Sequence, residues 1–172
     1  MKDLQKLVKE CKAELNAIGI EYGNITYVKI NTRATSRWGL CRNLTPSYDW
    51  EDSRFEIEIS NRLLEDNVKD SATKQTIIHE LLHSCKGGMT HKGKWKEYAN
   101  KVNANYNQYN ITRCTSSKEL GIDETNTKIN AKYILKCSCC GNTYFHSRMS
   151  KSVKHPEWFL CGKCHGKLER IK

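Results

Sequence analysis

Within the 172 residues, His79-Glu80-Leu81-Leu82-His83 is the segment whose residue types and spacing specify a chemistry most narrowly. On a helix, side chains four apart are about 40° apart around the axis and one turn along it, so His79 and His83 can grip one ion. Glu80 lies about 100° round from His79, out of position for the same ion but within reach of a water held by it. That is the arrangement of a hydrolytic zinc centre. Zinc lowers the pKa of its water, Glu80 accepts the proton, and the same carboxyl returns a proton to a departing amine. A third ligand must leave one coordination position open. His91 is the expected third ligand, because Gly87 and Gly88 allow the chain to reverse after the helix. Seven residues separate His83 from His91, against five in the metzincin pattern, so this is some other zincin. Glu97, early in the following helix, is the gluzincin-like alternative.

The cysteines point to a second metal. There are nine, an odd number, and four of them form the pairs Cys137-x-x-Cys140 and Cys161-x-x-Cys164. Two such knuckles separated by about twenty residues are the pattern of a zinc ribbon, in which four thiolates hold one structural ion. One catalytic and one structural Zn2+ are therefore expected. Cys139 falls inside the first knuckle as a bystander, and Cys11, Cys41, Cys85 and Cys114 read as small buried hydrophobes. Cys161 to His165 also fits a haem c attachment pattern, but the upstream pair explains these cysteines better. His146 and His155 are expected to face solvent.

Charge divides unevenly along the chain. Residues 131–172 carry nine Lys/Arg against Glu157 and Glu169, whereas the first 130 residues are close to balance, with 20 basic and 17 acidic groups. A dense positive field favours a polyanion through counterion release, and nucleic acid is the commonest such partner inside cells. In the ribbon, Tyr144, Phe145, Trp158 and Phe159 divide between a small core and a base-stacking surface, with Trp158 the choice for stacking. Lys29, Arg33, Arg37 and Arg42 around Trp38 form a second candidate DNA contact, in a run without a carboxylate until Asp49. A solvated lysine-rich surface is the plain alternative. No stretch approaches the roughly 18 uninterrupted apolar residues of a membrane span, and the opening MKDLQKLVKECKAEL mixes both charges where an export signal needs an apolar run. The expectation is a soluble, cytoplasmic protein whose partners are DNA and DNA-bound proteins, without a membrane partner.

Hydrophobic periodicity supplies the elements that must position these groups. Leu4, Leu7, Val8, Cys11, Leu15 and Ile18 recur at helical spacing before Gly19. Residues 25–30 and 54–59 read as strands, the second with Arg54, Glu56 and Glu58 on a solvated face. Trp38 to Cys41 adds a third strand. Asp70 or Ser71 is expected to cap a helix reaching Cys85, with Ile78, Leu81, Leu82 and Cys85 as its buried stripe. Trp95, Tyr98, Ala99, Val102 and Tyr106 mark the next helix. The reading is α+β: a zincin-like domain over residues 1–110, a polar linker over 111–130, and a small β zinc ribbon over 131–172.

Taken in order, these segments resemble the SprT-like metalloprotease family, which includes the eukaryotic Spartan proteases. The resemblance is carried by Arg33-Ala34-Thr35-Ser36-Arg37-Trp38-Gly39-Leu40-Cys41, Glu58-Ile59-Ser60-Asn61-Arg62-Leu63-Leu64, the zinc helix, His91-Lys92-Gly93-Lys94-Trp95-Lys96 and the terminal ribbon. It implies a minimal zincin fold that binds DNA and cleaves proteins attached to it. His79, His83 and His91 match the family's zinc ligands by position and Glu80 its catalytic acid. Two departures bear on His91: Lys92 precedes Gly93 where family members often have Gly directly, and the loop from His83 to His91 is short. A catalytically idle DNA-binding module is the alternative function, and Glu80 argues against it, since binding alone needs no carboxylate there.

Overall fold

The computed structural model describes residues 1–34, 37–117, 119–122 and 131–172, in two compact units that divide between Ile122 and Asp123. The first unit opens with helix α1, Leu4–Ala17, whose N-cap Asp3 accepts from the backbone N–H groups of Gln5 and Lys6. Leu4, Leu7, Val8, Cys11 and Leu15 are buried, as their spacing predicts, and each contributes about 1.5–3 kcal/mol of burial. Gly19, at φ +62°, ends the helix in the left-handed region that favours glycine. Strands β1 (Asn24–Asn31), β2 (Gly39–Asn43) and β3 (Arg54–Ser60) form a mixed sheet in the order β1-β3-β2. The central β3 pairs parallel with β1 and antiparallel with β2.

Phe55, Ile57 and Ile59 turn one face of β3 into the core. The other face departs from expectation. Glu56 and Glu58 are not solvated: they are 3% and 5% exposed. The cause lies in the register, which sets Arg42 opposite Glu56 on one side and Lys29 opposite Glu58 on the other. Lys29 bonds Glu56 at 2.8 Å, Arg42 reaches both carboxylates at 3.1 and 3.0 Å, and Arg37 reaches Glu58 at 3.0 Å. These cations cover the carboxylates, and the Glu56 and Glu58 carboxyls are held below their ordinary range. For Glu56 the Lys29 bond is the leading cause; for Glu58, Asn31 and the neighbouring cations outweigh an opposing burial cost.

Helix α2, Asp70–Ser84, packs its apolar positions Ile77, Ile78, Leu81 and Leu82 against the sheet and α1. Its N-cap is Lys69, one residue before the expected Asp70 or Ser71, and no side chain caps it. Thr73, within the first turn, instead donates to the Leu63 carbonyl at 2.6 Å. Helix α3, Lys94–Asn105, buries Trp95, Ala99 and Val102. Of the stretch expected as linker, Ile111, Leu120 and Ile122 are buried in the core of this first unit, and residues 123–130 lie outside the described residues.

The second unit is a ribbon of β4 (Tyr133–Cys137), β5 (Thr143–His146) and β6 (Leu168–Arg170), ordered β5-β4-β6 with antiparallel pairing, plus a one-turn helix α4, Lys151–Lys154. Among the described residues its buried cluster is Leu135, Cys137, Cys161 and Leu168, with Tyr144 packed against it. A core this small supplies little apolar burial, the circumstance in which small domains use a structural metal for folding energy. Among the described residues, no helix is long and apolar enough to cross a membrane.

Candidate metal centres

His79 and His83 project from the last two turns of α2, and the chain after the helix brings His91 back to them. The turn depends on glycine at two places. Gly87 takes φ +73°, and a Cβ on Gly88 would collide with the Leu82 carbonyl oxygen. The Gly88 carbonyl then accepts from His83 Nδ1–H at 2.9 Å. That bond fixes the tautomer and leaves the Nε2 lone pair of His83 facing the other rings. The Thr112 backbone favours a proton on the His79 ring, a small effect against burial and the neighbouring imidazoles.

The three Nε2 atoms converge. His91 Nε2 lies 2.9 Å from that of His79 and 3.1 Å from that of His83. Trp95 backs all three rings, with centroids at 4.8, 5.6 and 4.7 Å, and is itself 2% exposed. Three neutral imidazoles with converging lone pairs repel one another unless a cation sits among them. Tetrahedral zinc with Zn–N bonds of about 2.0–2.1 Å would separate its ligand nitrogens by about 3.3 Å, close to the spacing here. Protonation is disfavoured as the source of that cation, because burial pushes the His79 imidazole down to about 3 and lowers His83 and His91 as well. The residues present therefore fit zinc. Glu97, the alternative ligand, pairs with Lys94 at 2.7 Å and is not part of the cluster.

Glu80 points off the same helix toward the edge strand β2. It is 6% exposed, and burial pushes its carboxyl up to about 8 against smaller opposing effects from the Cys41 backbone and the Arg37 charge. The strand approaches closely because position 39 has no side chain. A Cβ there would collide with Glu80 Oε1 and come within 2.6 Å of Cγ and 2.8 Å of Cδ. Gly39 thus defines the seat of the carboxylate. In the sequence Gly39 falls within an expected strand, and Thr112 falls in the expected linker. An isolated Gly in a strand pattern is the signal for close approach, whereas nothing in the sequence marks Thr112.

In the ribbon, Cys137, Cys140, Cys161 and Cys164 bring their sulfurs within 4.8 Å of one another. Cys137 to Cys164 is 3.5 Å and Cys140 to Cys161 is 3.6 Å, near the about 3.8 Å edge of a tetrahedral zinc–thiolate site. Tyr144 Oη lies 3.1 Å from Cys161 Sγ, and Gly162 N–H donates to that hydroxyl at 2.9 Å, leaving its proton for the sulfur. With the hydroxyl bond as the leading cause, Cys161 is lowered to about 6, favouring the ligating thiolate. Cys139 is exposed and outside the four, as expected. Among the other cysteines Cys11 and Cys85 are buried, Cys41 is half-buried and Cys114 is exposed, contrary to expectation.

The expected DNA contacts separate into two groups. Trp158 is 68% exposed and stacks at 4.1 Å and 9° on His155, which is itself half-buried. Arg37 and Arg42 are committed to Glu56 and Glu58, Trp38 is half-buried beneath Arg62 at 4.6 Å, and Arg33 is exposed. The carboxylates that neutralise this surface come from β3, beyond the basic run in which the sequence shows none.

A helix-borne pair of histidines completed by a loop histidine, backed by a small sheet, defines an α+β domain of zincin type. The sequence model of the SprT-like family matches residues 5–115, and the chain belongs to that family, which is of metalloprotease type. It is similar to the "Protein SprT-like" of Bacillus velezensis (strain DSM 23117 / BGSC 10A6 / LMG 26770 / FZB42), at 28% identity over 123 residues, 69% of this chain and 72% of that protein.

Proposed function

We propose that this chain is a zinc-dependent endopeptidase acting on DNA-bound or DNA-crosslinked proteins, with the basic ribbon as its tether to DNA. The observation that carries the peptidase reading is the convergence of three Nε2 atoms beside a buried carboxylate one residue along the same helix. Zinc at this position supplies Lewis-acid polarisation of a water and of a substrate carbonyl. His79, His83 and His91 are the residues that would hold it, with Gly88 orienting His83 and Trp95 backing all three rings. Glu80, seated against Gly39, takes a proton from the water at a carboxylate oxygen. It then delivers that proton to the amine nitrogen as the peptide bond breaks.

The DNA tether rests on separate grounds. The ribbon's excess of seven positive charges and the exposed Trp158 suit phosphate contact together with base stacking. The internally paired Arg37 and Arg42 support the ribbon over the sheet surface as the principal contact.

The test incubates the zinc-loaded protein and its Glu80→Gln variant with a DNA-bound protein, with and without single-stranded DNA, and follows proteolysis. Cutting by the wild type alone is expected. Equal cutting by both, or none by either under any DNA condition, overturns the peptidase reading in favour of a DNA-binding module.

A further inference from the structure

The segment that returns His91 to the other two histidines carries charge of one sign. Between Glu80 and Glu97 the chain has no acidic residue, and residues 86–96 hold Lys86, Lys92, Lys94 and Lys96. All four are exposed. Lys94 pairs with Glu97 at 2.7 Å, and the other three meet no carboxylate among the described residues. Cations elsewhere in this unit are engaged: Lys2 with Asp70, Lys29 and Arg42 with Glu56, Arg37 with Glu58, and Lys74 with Glu10 and Glu14.

Contacts at both ends of the loop gather these lysines at the histidine centre. Tyr98 Oη donates to the Lys86 carbonyl at 3.3 Å, and the Lys94 stem lies over Gly87, its Cγ and Cβ 3.3 and 3.4 Å from where a Gly87 Cβ would stand. Lys86 and Lys94 therefore share the base of a closed loop. Lys92 is one Cα step of about 3.8 Å from His91, whose Nε2 lies 2.9 and 3.1 Å from those of His79 and His83. Lys96 follows Trp95, the ring that backs all three imidazoles. Gly93 takes φ +51°, and a Cβ there would meet nothing within 4 Å, so the chain between Lys92 and Lys94 presents open backbone.

We infer that the His91 loop is a nucleic-acid contact in its own right, in which Lys86, Lys92 and Lys96 neutralise backbone phosphates and draw DNA past the histidine centre. The inference rests on the reading of DNA as partner. A cation already paired, such as Arg37 or Arg42, must give up its carboxylate before it meets a phosphate, whereas these three have none to give up. Ammonium groups act as point charges that need no bidentate geometry, which suits a continuous phosphate backbone, and each phosphate neutralised releases counterions. A ribbon tether holds the chain on DNA without setting where the histidines lie. Contact at this loop places the backbone, and with it any protein attached there, beside them.

The test uses the full-length, zinc-loaded chain and a fluorescein-labelled duplex oligonucleotide, with anisotropy titrations at several salt concentrations. Joint replacement Lys86→Gln, Lys92→Gln and Lys96→Gln should make the slope of log K against log salt shallower by about 2–3, since each lost phosphate contact removes about 0.9. Affinity should fall on the order of 10²-fold at ~0.15 M salt, with the difference vanishing near 1 M, for any base sequence. Zinc content should not change. Photoreactive benzoylphenylalanine in place of Met89, which is 48% exposed on the loop, should crosslink to the oligonucleotide. An unchanged slope, or no crosslink from position 89, overturns the inference. So does a triple variant that keeps its DNA affinity and loses binding to polyglutamate, which would assign the loop to acidic peptides. The ribbon variant Lys154→Gln with Lys163→Gln separates the two readings. Weakening by the ribbon substitutions alone removes the loop contact and leaves the tether; weakening by the loop substitutions alone removes the tether and leaves the loop contact.

Discussion

Replacing Gly39 by alanine should separate metal binding from catalysis. The added Cβ falls 2.6 Å from Glu80 Cγ and 2.8 Å from Cδ, distances that side-chain carbons do not sustain, so the carboxylate must retreat by roughly 1 Å. Overpacking of this kind costs about 1–3 kcal/mol of stability, and misplacement of a reacting group by about 1 Å can cost on the order of 10²-fold in rate. His79 and His83 leave the helix in other directions, so zinc should be retained. A double-mutant cycle then isolates the contact. Denaturant unfolding of the zinc-loaded Gly39→Ala, Glu80→Ala and doubly substituted proteins should show a coupling of about 1–3 kcal/mol, because truncating Glu80 vacates the space the new methyl needs. Full turnover in Gly39→Ala, or additive stabilities in the cycle, would refute the close seating of Glu80 on β2.

Burial raises Glu80 to about 8 from an ordinary 4.5, so in metal-free protein its contribution is fully present below 4.5 and is lost as pH rises toward 8. Glu80→Gln should flatten that slope in thermal melts. Cys161→Ser should reduce bound zinc from two ions to one by elemental analysis and unfold residues 131–172, while the histidine-bound ion remains. Replacing Glu56 and Glu58 together by glutamine should release Arg37 and Arg42, raising DNA affinity and steepening its salt dependence in fluorescence anisotropy titrations. The same variant should lose roughly 2–4 kcal/mol of stability, since three cations are left without their carboxylates.

Local periodicity made the three long helices readable, because each buries one apolar stripe: Leu4 to Leu15, Ile77 to Leu82, and Trp95 to Val102. The metal centres were readable for a related reason. Two ligands share one helix face, and the glycine pair before His91 and the cysteine knuckles are short-range features. What escaped depends on chain segments distant in sequence. Alternation along β3 predicted that Glu56 and Glu58 faced outward, and they do, but their burial follows from β1 and β2 lying on either side with cations in register. Charge counted along residues 29–42 likewise missed carboxylates contributed from the adjacent strand. The polar composition of residues 107–130 concealed Ile111, Leu120 and Ile122, isolated apolar residues without a periodic pattern. Thr112 acts through its backbone, for which side-chain identity carries no signature.

Trp95 gives the histidine centre an intrinsic optical reporter. Its indole lies within 5.6 Å of the centroids of all three imidazoles and is shielded from bulk water. Contact with imidazolium quenches indole emission, so loss of the ion followed by acidification should dim this tryptophan, and a paramagnetic cobalt in its place should extinguish it. Occupancy of the centre can then be followed by fluorescence in real time, without a label and without a substrate.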